Sequence, residues 1–166
     1  NTLIDGKPVF FGATIEENLR KVQPGISERE FQEILEISGL QKVLEQLPEG
    51  ISTEINQFGM PLSQGDRVTL ALARGLMSGP RILLIDEALA NLDKSTQISF
   101  FDNFAKISDL KTVIMATHDL RSTTKFERII VLEKGVVVGQ GTHDELLKTC
   151  PLYKELWAME QKLTGT

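Results

Sequence analysis

The sequence predicts an α/β domain on a mostly parallel sheet, from three observations. Short continuous apolar runs recur, such as "ILLI" at 82–85 and "TVIMAT" at 112–117; apolar residues at helical spacing lie between them; capping residues mark the boundaries. Continuous apolar strands alternating with helices imply a sheet covered on both faces.

The elements follow in order. Ser27 stands three residues before Glu30, a capping box, and Phe31, Ile34, Leu35 and Ser38 continue at helical spacing until Gly39 supplies a left-handed stop. A second short helix covers "LQKVLEQL", 40–47, and ends at Pro48 and Gly50. These two helices define a small helical lobe over about residues 14–62. From Ser63 onward helix and strand alternate. The helix at about 64–77 carries Val68, Ala71, Leu72 and Leu76 on one face, and "SGPR" breaks it before the strand "ILLID". Residues 94–107 read as the next helix and 112–117 as the next buried strand. "RIIVLEKGVVVGQG" reads as a hairpin turning at Lys134 and Gly135, and Thr142 with Glu145 forms a capping box before a C-terminal helix.

Composition narrows the function classes. The chain has 166 residues, enough for one continuous core, with 41% apolar and 25% charged residues and no disordered or fibrous bias. A net charge of −5 and the lack of basic clusters argue against nucleic acid as a partner. The lone Cys150 has no second cysteine to pair with, which fits a reducing compartment and a semi-buried structural thiol. No apolar run approaches the roughly 20 residues of a membrane-spanning helix. The opening "NTLIDGKPVFF" has no secretory pattern and reads as a chain entered midway.

Chemistry concentrates in three places. The strand "ILLID" delivers Asp86 and Glu87 to the carboxyl edge of a sheet, where open α/β folds bind ligands. Such a pair suits phosphoryl transfer, one carboxylate holding Mg²⁺ and the other orienting water; taken alone, it is equally a pair of solvated turn residues. "LSQGD", 62–66, begins a helix: Ser63 caps it with Asp66 as box partner, and Gly65 lets backbone approach a ligand. A helix start of this kind favours phosphate, yet most such stretches are only helix starts. "MATHD", 115–119, sets His118 just past an apolar strand, whereas His143 lies within a capping box and reads as structural. With no cysteine or second histidine placed to help, zinc is not expected.

In this order the motifs resemble the nucleotide-binding domain of an ATP-binding cassette (ABC) transporter. "LSQGD" resembles the family's LSGGQ signature, "RVTLALARGLMSGPRILLIDE" the signature helix running into the Walker B strand, "ALANLD" the D-loop, and "ATHD" the switch-histidine loop. "VFFGATIEENL" and "GVVVGQGTHDELL" resemble flanking segments of exporter-type members, so the likeness covers nearly the whole chain. It implies a partial P-loop NTPase-like core, with the helical lobe at about 14–62 and the catalytic portion at about 63–166. It further implies that Asp86 assists Mg²⁺ through water, Glu87 acts on the hydrolytic water and His118 contacts the γ-phosphate of ATP. Ser63, Gln64 and Gly65 would face ATP bound by a second nucleotide-binding domain, with Asp93 at that dimer interface. Transmembrane domains would be the other partner, at the cytoplasmic face of a membrane.

No G-x-x-x-x-G-K-S/T loop, the Walker A phosphate cradle, occurs in the sequence. The resemblance therefore implies the second part of the domain, which alone should bind little ATP and show negligible hydrolysis. Gly6 falls where the family's Q-loop glutamine is expected, and Gln64 and Asp66 replace a glycine and a glutamine of the signature. A charge at Asp66 near a partner's γ-phosphate would weaken the closed dimer. Two other readings are an inert interaction module for transporter membrane domains, and a chromosome-maintenance or repair ATPase. The latter would call for a basic DNA-binding face and long coiled-coil insertions, and neither is present.

Overall fold

A computed structural model describes residues 2–5, 7–79, 81–104, 106–107 and 111–164, so Gly6 lies outside the described residues. The chain divides into two compact units, Asn1–Thr117 and His118–Thr166.

In the first unit three strands, β1 (Thr2–Ile4), β4 (Ile82–Asp86) and β5 (Thr112–Ala116), form a parallel sheet in the order β1-β4-β5. A two-residue antiparallel pair, β2 (Ala13–Thr14) with β3 (Glu54–Ile55), braces the loops of the helical segment. That segment contains α1 (Ile15–Arg20), α2 (Glu28–Ser38) and α3 (Leu40–Gln46). Both α1 and α2 open with complete capping boxes, Thr14/Glu17 and Ser27/Glu30, and Gly39 ends α2 with φ 80°. The Ser27 box and the Gly39 stop were legible in the sequence; the Thr14 box carries the same signal.

The long helix α4 (Gln64–Met77) organises the unit. Its Val68, Leu70, Ala71, Leu72, Ala73, Leu76 and Met77 are all buried, so the single apolar stripe expected from spacing becomes two buried faces. One packs on α2 and the other on the sheet. Gly75 makes the second contact possible: a Cβ there would lie 2.9 Å from Leu83 Cδ1 and 3.3 Å from Ile4 Cδ1. The helix α5 (Lys94–Asp102) adds Phe100 to the same core.

Strand order explains where the sheet is covered. Going from β1 to β4 to β5 moves in one direction, and right-handed crossovers in one direction put their helices on one face. Ile4, Leu83 and Ile85 are accordingly buried on that face, with Val113 and Met115 packed against them. The other row, Leu3, Leu84 and Ile114 in register, is only partly covered: Leu84 is half-buried, while Leu3 is 61% and Ile114 56% exposed. Coverage of both faces, and full burial of the strand at 112–116, are therefore corrected. That strand alternates between exposed and half-buried residues because only Val113 and Met115 face the packed core.

The second unit comprises a one-turn helix α6 (Leu120–Thr123), the hairpin β6 (Ile129–Glu133) and β7 (Val136–Gly141), and helices α7 (His143–Thr149) and α8 (Pro151–Thr164). Lys134 and Gly135 form the turn with φ of 50° and 81°, the pair of positive angles that matches strand twist. The one expected C-terminal helix is two, because the residue before a proline avoids helical geometry: Cys150 is extended, and Pro151 starts α8. Ile129, Val131, Leu146, Cys150 and Tyr153 form the core of this unit. Cys150 is buried among them as a free thiol. Among the described residues no helix is long and apolar enough to cross a membrane.

Candidate functional site

The carboxyl end of β4 carries the acid pair. Asp86 shares the alternation of Ile82 and Leu84, so it belongs to the uncovered face of the sheet, and it is exposed there. Its side chain has no hydrogen-bond or ion-pair partner among the described residues. Glu87 follows in a left-handed conformation, φ 49° and ψ 8°. A non-glycine residue there costs about 1–2 kcal/mol, so something must hold it. Its N–H donates to the Ala116 carbonyl of β5 at 3.1 Å, and a 3-10 turn, Ala88–Asn91, follows at once with Ala88, Leu89 and Leu92 buried. Apolar burial on one side and a strand hydrogen bond on the other fix the bend.

Behind that turn lies a residue the sequence did not single out. The Gln97 amide, on α5, donates to the carbonyls of Leu89 at 2.9 Å and Leu92 at 3.1 Å, tying the loop that leads to Asp93. Contacts of this reach carry no periodic signal. Asp93 caps α5: its Oδ1 accepts from the Ser95 N–H at 2.9 Å and the Thr96 N–H at 3.1 Å, and its Oδ2 from the Thr96 hydroxyl at 2.6 Å. The Ser95 hydroxyl also donates to Oδ1, and these donors, the two hydroxyls foremost, hold its carboxyl well below the usual range.

Ser63 begins α4 in extended geometry and closes a full capping box with Asp66. The Ser63 hydroxyl donates to Asp66 Oδ2 at 2.6 Å and accepts from the Asp66 N–H at 3.2 Å, so its one proton is already committed. Gln64 is exposed beside it. Gly65 approaches Leu92, for a Cβ there would stand 3.8 Å from Leu92 Cδ2. The structure thus brings the start of α4 next to the turn preceding Asp93. Among the described residues no hydrogen bond or ion pair joins Ser63 or Asp66 to Asp86.

His118 opens the second unit, immediately before Asp119, whose side chain caps α6 through the Arg121 N–H at 3.1 Å. His143 stands where the Thr142/Glu145 capping box puts it, at the first position of α7, in the structural setting read from the sequence.

A second missed residue is Asn18, fully buried on α1. Its Oδ1 accepts from the Phe11 N–H at 2.8 Å, and its amide donates to the Phe11 and Thr14 carbonyls at 3.1 and 2.9 Å. It clips the loop after Gly6 onto the helical segment. A buried, fully bonded asparagine looks like any polar helix residue in sequence.

The donor set admits a hard divalent cation in one way. Among the described residues no group of three or more His, Cys, Asp or Glu gathers to cage a metal. A single exposed, unclaimed carboxylate such as Asp86 fits Mg²⁺, which keeps several waters and takes one or two carboxylates plus substrate phosphates.

Together these features define a parallel α/β domain with an acidic edge at the end of the central strand. Residues 4–90, over half the chain, match the family profile described as ABC transporter. A glutathione/L-cysteine transport system ATP-binding/permease protein of Escherichia coli is 39% identical over 138 residues, 83% of this chain and 24% of that protein. A putative export ATP-binding/permease protein of Rickettsia bellii is 35% identical over 89% of this chain and 26% of its own length. Among solved structures, a bacterial Atm1-family ABC exporter with ATP bound superposes with a TM-score of 0.84 at 31% identity, covering 96% of this chain and 28% of that one. The chain belongs to the ABC transporter family, as part of an exporter-type nucleotide-binding domain. It spans about a quarter of the length of these relatives.

Proposed function

We propose that this chain supplies the hydrolytic carboxylates and the signature helix of an ATP-binding domain that couples ATP hydrolysis to transmembrane export. The observation that carries the reading is the acid pair at the end of β4, with Glu87 held in a strained backbone conformation beside β5. Asp86 holds Mg²⁺ through water, and the ion supplies charge neutralisation at the phosphates when bound. Glu87 orients and deprotonates the attacking water, and His118 contacts the γ-phosphate. A nucleotide that uses Asp86 lies over the uncovered face of the sheet, where that carboxylate is exposed. Ser63, Gln64 and Gly65 present the start of α4 to ATP held by a second such domain, and Asp93 shapes the loop at that interface.

The membrane-domain partner meets the segment at 9–11 and the loop at 56–60. Two facts favour this: Val9, Phe11, Phe58 and Met60 are all exposed, and the Phe10 N–H donates to the Gln57 carbonyl at 3.0 Å, joining the two stretches. The segment at about 14–62 acts as the helical lobe of that contact.

The experiment is nucleotide binding and turnover by the complete ATP-binding domain carrying Glu87→Gln or Asp86→Asn. Glu87→Gln should keep ATP binding and lose turnover by about 100-fold or more, the range of a general base. Asp86→Asn should lose Mg²⁺-dependent nucleotide binding as well. Turnover at the parent rate in Glu87→Gln would assign the hydrolytic role elsewhere.

A further inference from the structure

Tyr153 on α8 is 1% exposed, yet its hydroxyl sits within a polar chain in the core of the second unit. The oxygen lies 2.8 Å from Thr123 Oγ1 and 2.9 Å from His143 Nδ1. Thr123 Oγ1 in turn stands 2.6 Å from the Leu120 carbonyl. The direction of this chain follows from counting protons. Two oxygens at that distance need a proton between them, and only the threonine hydroxyl has one to give. Its proton spent, Thr123 can only accept, so the Tyr153 hydroxyl donates to it. The Tyr153 oxygen must then accept from His143, which requires the proton on Nδ1. The sequence His143 Nδ1–H to Tyr153 to Thr123 to the Leu120 carbonyl runs one way, with every buried member satisfied.

Its far end is the first residue of α6, two residues after His118. A second tether joins the same elements: Glu160, two turns along α8 from Tyr153, pairs with Arg121 at 3.1 Å. A one-turn helix has almost no stability of its own. Its geometry, and that of the loop entering it, therefore depends on side-chain bonds, among them these two, the Asp119 cap and the Ser122 hydroxyl donating to the Asp119 carbonyl at 2.6 Å. His143 is held in place for its part, with its ring 4.5 Å from that of Trp157 in an edge contact.

We propose that Tyr153 is a positioning residue for His118, acting through the directed hydrogen-bond chain from His143 to the Leu120 carbonyl. This rests on the reading that His118 contacts the γ-phosphate, but the linkage itself can be measured without nucleotide. The probe is the 166-residue chain labelled with ¹⁵N, observed by long-range ¹H–¹⁵N spectra of its two histidines and by backbone amides. His143 should appear as the Nδ1–H tautomer. Tyr153→Phe should move His143 toward the other tautomer, shift the His118 ring resonances, and perturb the amides of Asp119 to Thr123. Thr123→Val should disturb His118 and the same amides, and Thr123→Ser should restore the parent spectrum; these two also serve if Tyr153→Phe fails to fold. His143 as the Nε2–H tautomer in the parent chain, or folded Tyr153→Phe or Thr123→Val with unmoved His118 resonances, would overturn the proposal. In the complete domain Tyr153→Phe should lower kcat by about tenfold with KM unchanged, within what small misplacements cost. Parent-level turnover in His118→Ala would remove the nucleotide role of His118 while leaving the spectroscopic linkage standing.

Discussion

The start of α4 and the end of β4 both carry residues assigned to ATP, yet they are built oppositely. At Ser63 everything is settled locally: extended cap geometry, a complete box with Asp66, and a hydroxyl proton given to that carboxylate. At Glu87 the backbone sits where a side-chain-bearing residue is disfavoured, and the fold restrains it through Ala116 on one side and buried Ala88, Leu89 and Leu92 on the other. A helix start that satisfies itself needs no partner outside its own four residues. A strained bend persists only where the surroundings over-determine it, and such bends concentrate at functional sites. The second region is therefore the stronger pointer to chemistry in this chain.

The contrast can be broken at either end. The largest effect belongs to the Glu87 carboxylate, whose loss should cost turnover by about 100-fold or more while nucleotide binding persists. Next comes Asp66→Gln in the complete protein. Glutamine at that position still closes a capping box, so α4 should keep its stability. If the Ser63 end faces a partner's γ-phosphate, removing a charge worth about 1 kcal/mol there should tighten ATP-driven dimerisation by about fivefold, read by sedimentation. Equal or weaker dimerisation would mean that the Ser63 end does not face phosphate.

The smallest effect concerns Asp93. Its folded carboxyl lies below its ordinary value because the Ser95 and Thr96 donors favour the charged form. A depressed folded value means that the ionised carboxylate stabilises the fold above the unfolded value near 4, and that this contribution fades as pH falls through the folded value. The stability gap between the parent and Asp93→Asn should thus be constant from about pH 5 to 8 and close progressively below about pH 4. A gap that widens in acid would contradict the assigned cap.

What was legible in the sequence was local. Ser27 with Glu30, Ser63 with Asp66, Thr142 with Glu145 and the Lys134-Gly135 turn each announce themselves within a few residues, and all four form as expected. The strand "ILLID" and its terminal acids were legible for the same reason. What depended on distant partners was not. The exposure of Leu3 and Ile114 on the second face of the sheet follows from strand order, which the apolar runs do not encode. The Gln97 tie to Leu89 and Leu92, the Asn18 clip on Phe11 and the Tyr153 chain each join residues that no period relates. The left-handed Glu87 is invisible too, since nothing in "DEALANLD" distinguishes a strained bend from a relaxed turn.

Replacing Glu87 by glycine tests the central claim most directly, because glycine takes the left-handed conformation without penalty. If strain is held there for chemistry, Glu87→Gly should raise unfolding stability in denaturant by up to about 1 kcal/mol, the relieved strain less the entropy of the added glycine. The complete domain bearing the same change should lose at least about 100-fold in ATP turnover. A less stable Glu87→Gly protein, or one that hydrolyses ATP at the parent rate, would contradict the account.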